Sequence, residues 1–131
     1  MTGNILVIDD NPDLRETLVL LLADHGLTVT TVASGREALA LLASGGRPNL
    51  ILLDLMMPEM NGWQFLEHLR SDAAFASIPV VIMTAHTATD PVPAPAREML
   101  RKPFSGATLL AAIARWATPA DGGRDRARQS R

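Results

Sequence analysis

ILVIDDNP, residues 5–12, decides the fold. Four apolar residues run without alternation, as in a strand covered on both faces. Two acids follow, and then Asn11-Pro12. Asn is a good helix cap, and proline is pre-set for the first helical position. The octet therefore reads as a buried parallel strand that ends in carboxylates and turns directly into a helix. Leu14, Leu18, Leu21 and Leu22 continue at helical spacing, and Gly26 stops that helix.

The same strand-then-helix unit recurs along the chain. Thr28–Val32 alternates, and Ser34 with Glu37 makes a capping-box pattern for a second helix ending before Gly45-Gly46. Residues 51–53 are again wholly apolar, and Asn61-Gly62 opens a third helix carrying Phe65, Leu66 and Leu69. Pro79 precedes the apolar run 80–83. Residues 98–101 read as a short, weak strand, and Ser105 caps a last helix with Leu109, Ile113 and Trp116 on one side. This alternation predicts an α/β fold, a doubly wound five-stranded parallel sheet of flavodoxin-like type. The half-polar strands at 28–32 and 98–101 belong at the edges, which gives the order 2-1-3-4-5. Prolines at 91, 93 and 95 oppose a regular helix between the last two strands. A fourth helix there is expected to be short or irregular.

Composition narrows the function classes. A chain of 131 residues suits one domain with a real core. The net charge is −2, and there is no cysteine. No disulfide, thiolate nucleophile or Cys-based metal site is available. No apolar run reaches membrane-spanning length and no export signal is visible, so a cytoplasmic location is expected. Residues 1–117 carry twelve Asp and Glu against eight Lys and Arg, whereas PADGGRDRARQSR at 119–131 is basic and lacks large apolar residues. The expected organisation is a domain at 1–117 and a disordered basic tail or linker at 118–131.

In such a sheet, ligands bind beyond the carboxyl ends of the strands at the switch point between strands one and three. Asp9 and Asp10 end the first strand and Asp54 ends the third, so the three acids should converge. Taken alone, the Asp9-Asp10 pair could simply complement the helix dipole. Three convergent acids repel unless a hard cation joins them, and Mg²⁺ favours such oxygen ligands. Thr84 after the fourth strand and Lys102 after the fifth face them. Lys102 is the one lysine beside eleven arginines. Lysine is a compact point charge where arginine is a planar fork. Acids for a metal, a carboxylate nucleophile, a hydroxyl and an ammonium together describe a phosphoryl-transfer site.

VIDDNPDLR, LLDLMMPEMNGWQFL, VIMTAH and RKPF, taken in order, resemble the response-regulator receiver domain of two-component signalling over roughly residues 4–117. The resemblance implies that Asp54 is the phosphoacceptor for a phosphohistidine. It implies that Asp10 binds Mg²⁺ directly, Asp9 mainly through water, and that the Met56 backbone carbonyl completes the protein ligands. Mn²⁺ would be an acceptable substitute. Thr84 would bond the phosphoryl group and Lys102 would pair with one of its oxygens, with a cis bond to Pro103. Pro58 and Gly62 would shape the loop after Asp54, and Phe104 would pack in the core.

The implied partners are a sensor histidine kinase or histidine phosphotransfer protein and an unknown downstream protein target. No membrane and no direct DNA binding are expected, and the chain would take part in its own phosphorylation without being a turnover enzyme. Met99 stands where the family commonly has an aromatic residue, and the 84–102 region is about one helical turn short. Both departures bear on output. His86 and Met56, two residues after Thr84 and Asp54, would tune loss of the phosphoryl group. A receiver-like interaction module that is never phosphorylated is the competing reading, and a receiver cut from a longer regulator is another. An aspartyl phosphatase would need a second acid at position 56, where Met stands. His25 and His68 read as surface residues, and Trp63 and Trp116 as packing residues.

Overall fold

A computed structural model describes residues 3–85 and 92–118. The elements are β1 (Asn4–Ile8), α1 (Pro12–Ala23), β2 (Thr28–Val32), α2 (Gly35–Ala43), β3 (Leu50–Asp54), α3 (Gly62–Arg70), β4 (Val80–Thr84), β5 (Ala96–Arg101) and α4 (Gly106–Trp116). All sheet pairings are parallel and the order is β2-β1-β3-β4-β5, as the strand compositions predict.

The apolar strands are continuous because each feeds two cores. Leu6, Ile8, Ile51, Leu53, Val80 and Ile82 pack with Ala38, Leu42, Phe65, Leu66 and Leu69 of α2 and α3. The alternate residues Ile5, Val7, Leu50, Leu52, Val81 and Met83 pack with Leu18, Leu22, Leu109, Ala112 and Ile113 of α1 and α4. Strand side chains point to opposite faces in turn, so burial on both faces demands an unbroken apolar run. β3 and β4 are buried at every position, while β2 is half-buried or exposed throughout.

The helix starts follow their caps. The Asn11 side chain accepts from the Asp13 and Leu14 amides with Pro12 at the first position, Ser34 accepts from Glu37, and Asn61 and Gln64 form a reciprocal capping box. Between β4 and β5, residues 92–95 are not helical, and Ala94-Pro95 is cis. The remainder of that connection, with His86, lies outside the described residues, as do residues 119–131 of the expected tail. β5 begins at Ala96, two residues earlier than the sequence suggests, and its pairing with β4 shifts register between Val80 and Val81. At the opposite end of the sheet from the acids, the Thr118 amide and hydroxyl both donate to the Asn49 carbonyl at 3.0 and 3.2 Å, tying the end of α4 to the start of β3.

Candidate functional site

The acids lie where β1 and β3 end side by side. Ile8 pairs with Leu53, so Asp9 and Asp54 occupy the next register position on neighbouring strands. Asp9 and Asp54 are buried, Asp10 is exposed, and one carboxylate oxygen from each of the three lies within 4.8 Å of the others. Three carboxylates at that spacing form an oxygen donor set of the kind that suits Mg²⁺. Because Asp10 is exposed, the group is open to solvent on its side.

Asp9 is the most heavily bonded of the three. Its backbone N–H donates to the Val32 carbonyl at 3.2 Å, and its Oδ1 accepts from the Asn11 amide at 2.9 Å. Its Oδ2 accepts from Lys102 Nζ at 2.8 Å, and its carbonyl accepts from Arg15 Nη1 at 2.7 Å. Asp54 has fewer partners. Its Oδ1 accepts from the Met56 amide at 3.2 Å and stands 3.7 Å from Lys102 Nζ. Burial raises the Asp54 pKa above its ordinary 3.8, and neighbouring Asp9 and Asp10 add to this. Lys102 and the Met56 amide act in the opposite direction but do not cancel it. Such a carboxylate gains from any cation that joins it.

Thr84 is buried at the end of β4, and its carbonyl accepts from the Lys102 amide at 2.8 Å. That bond aligns the ends of β4 and β5 and sets where the Lys102 side chain begins. The Lys102-Pro103 bond is cis, as expected. Phe104 is half-buried against the α1/α4 core, and a cleft of about 420 Å³ lies beside the site between Asn11, Leu14, Ala85, Lys102, Pro103 and Phe104.

The loop after Asp54 is shaped by two backbone requirements. Glu59 sits at φ 65°, a left-handed conformation unusual for a residue with a side chain. A Cβ on Gly62 would come within 2.7 Å of Leu55 Cα and 3.0 Å of the Asp54 carbonyl. Only glycine lets α3 start that close to β3. The Met56 side chain is 55 % exposed, unlike its buried neighbours Leu55 and Met57.

The acids, Thr84 and Lys102 thus arrive at one end of the sheet, as the sequence predicts. Sequence reasoning missed Asn11 and Arg15 as partners of Asp9. A cation in the first turn of a helix, against the dipole, was the available signal for Arg15. Trp116 packs on the α1/α4 core and its Nε1 donates to Glu98 at 2.7 Å. Trp63, expected to pack, is 42 % exposed. His25 and His68 are exposed.

The family model described as the response regulator receiver domain matches residues 5–114. Protein PilH of Pseudomonas aeruginosa is 37 % identical over 115 residues, covering 85 % of this chain and 94 % of PilH. The DNA-binding response regulator MtrA of Mycolicibacterium smegmatis is 37 % identical over 117 residues, covering 86 % of this chain and 50 % of MtrA. The chain therefore spans about half the length of this longer relative. Among solved structures, the receiver domain of a sensor histidine kinase from P. aeruginosa, with magnesium coordinated in its active-site cleft, superposes with a TM-score of 0.80. It is 28 % identical, and the match covers 88 % of this chain and 98 % of that one.

Proposed function

Since this chain belongs to the response regulator receiver domain family, we propose that it is a signalling receiver whose Asp54 takes a phosphoryl group from a phosphohistidine. The donor is a sensor histidine kinase or a histidine phosphotransfer protein. An Asp54 carboxylate oxygen forms the new bond to phosphorus while the P–N bond breaks, leaving its electron pair on the imidazole nitrogen. The product is an acyl phosphate.

The convergence of Asp9, Asp10 and Asp54 within 4.8 Å is the observation that carries this reading. Asp10, Asp9 through water, Asp54 and the Met56 carbonyl would hold Mg²⁺, with Mn²⁺ as a substitute. The metal would supply positive charge to the transferring group. The fit rests on the donor chemistry, which is all carboxylate and carbonyl oxygen. The magnesium-bearing receiver from P. aeruginosa is consistent with it.

Lys102 adds a point charge for one phosphoryl oxygen, and the Thr84 hydroxyl donates to another. Asp54 is poorly served by its own surroundings, since burial and two neighbouring acids raise its pKa. The site is therefore better matched to the charge distribution of phosphoryl transfer than to a resting carboxylate.

The domain acts in the cytoplasm and is a recipient of the phosphoryl group, not a turnover enzyme on an external substrate. Output passes through contact with a downstream protein or by onward phosphotransfer. DNA contact is not assigned to this domain, because residues 1–117 are acidic by twelve to eight. No helix among the described residues is long and apolar enough to cross a membrane.

Incubation with a phosphorylated histidine kinase core and Mg²⁺ tests the reading. Label should move to the wild-type chain and not to Asp54→Ala. Equal labelling of both would refute the assignment of Asp54.

A further inference from the structure

We infer that Arg15 is a positioning residue for the acidic site, acting through the peptide that joins Asp9 to Asp10. The inference rests on the metal reading above. Arg15 sits in the opening turns of α1, where its backbone N–H donates to the Asn11 carbonyl at 3.1 Å. Its side chain turns back toward the strand, and Nη1 donates to the Asp9 carbonyl at 2.7 Å.

The placement is costly by local rules. The start of a helix favours acids, as at Asp13, and disfavours a guanidinium. A short, charge-assisted bond to a backbone carbonyl offsets that cost. The carbonyl concerned is not an arbitrary one. It belongs to the planar unit between two acids, so fixing its direction fixes where the Asp10 Cα sits relative to Asp9. Asp9 is fully buried, and its carbonyl lies past the end of β1. A donor there prevents a buried acceptor from tilting the peptide toward another partner.

The other bonds of Asp9 show what Arg15 adds. Its amide is held by Val32 of β2, its Oδ1 by the Asn11 amide and its Oδ2 by Lys102. These fix the residue and its carboxylate. Arg15 fixes the exit of the chain toward Asp10, the exposed acid, which has the most freedom to leave the cluster.

Two physical accounts of Arg15 predict opposite signs. As a bare cation near three acids, it would repel Mg²⁺, and its removal would tighten metal binding. As a positioning residue, it holds the donor set together, and its removal weakens binding.

Calorimetric titration of MgCl₂ into the full chain separates them, comparing wild type with Arg15→Met, which keeps the apolar stem, and Arg15→Lys, which keeps the charge and a donor. Amide hydrogen exchange at Asn11 in EDTA is read in parallel. Arg15→Met should weaken Mg²⁺ about tenfold, the usual order for losing a residue that orients metal ligands. Arg15→Lys should recover most of the loss, and Asn11 protection should fall in the Met variant. Mg²⁺ binding in Arg15→Met as tight as wild type, or tighter, overturns the inference. If wild type itself binds no Mg²⁺, the metal reading fails and Asn11 exchange decides alone, with unchanged protection overturning the role of Arg15. Should Arg15→Met not fold, Arg15→Gln carries the same comparison.

Discussion

Lys102 Nζ stands 2.8 Å from Asp9 Oδ2 and 3.7 Å from Asp54 Oδ1, so the lysine is committed to the acid beside the proposed phosphoacceptor. The pair joins β5 to β1 across two intervening strands. It neutralises one buried acid and leaves the other short of positive charge.

Removing the ammonium should expose that dependence. Lys102→Ala leaves Asp9 buried without its cation, and we expect a loss of about 1–3 kcal/mol of stability in EDTA. Mg²⁺ should shrink the difference, because the metal supplies the missing charge. Urea unfolding with and without Mg²⁺ measures both, and an equal loss in the two conditions would contradict the charge account.

Lys102→Arg should keep the fold but impair phosphorylation. A guanidinium can still reach Asp9, but it presents a fork where a point contact is needed. Wild-type phosphorylation rates in this variant would remove the argument from the chain's one lysine.

Asp54 should set a pH dependence of stability. Its folded pKa is above its ordinary 3.8, chiefly through burial. The folded state therefore takes up the proton before the unfolded state does. The penalty of the buried charge is fully present above the folded value, and it is relieved as pH falls from there toward 3.8. In EDTA, Asp54→Asn should be more stable than wild type at pH 7, with the gap closing on acidification. A gap that does not change with pH would count against a raised pKa. Mg²⁺ at a hundred times its Kd should stabilise wild type by about 2.7 kcal/mol, and Asp10→Asn much less.

Much of this arrangement was legible in the sequence. Unbroken apolar runs at residues 5–8, 51–53 and 80–83 marked strands covered on both faces, and the strand ends then forced Asp9, Asp10, Asp54, Thr84 and Lys102 to one side of the sheet. The choice of Lys102 for Asp9 over Asp54 was not legible, because both acids lie within reach of one flexible stem and side-chain geometry decides. Glu59 at φ 65° was hidden for a related reason. The turn after Pro58 needs a left-handed residue, and its identity there is not the usual glycine. How far Trp63 is covered was not legible either: at the second position of α3 it is 42 % exposed, a degree of cover that the residue type does not set. The early start of β5 was not legible, because Ala96 joins the sheet through a register shift at Val80/Val81 that leaves no mark in the residue pattern.

Gly62→Ala should disturb the site from outside it. The new Cβ would meet the Leu55 backbone at 2.7 Å, which cannot yield as a flexible side-chain tip can. We expect a loss of about 1–3 kcal/mol and slower phosphorylation as the loop after Asp54 shifts. Wild-type stability and rate in this variant would show that the loop has slack.

The most direct measurement is the site and rate of labelling by a small phosphodonor. Acetyl phosphate with Mg²⁺ should add one phosphoryl group to the chain, mapped by mass spectrometry of borohydride-reduced peptides to Asp54, and EDTA should abolish it. Label on another residue, or label on Asp54→Ala at the wild-type rate, would contradict the account.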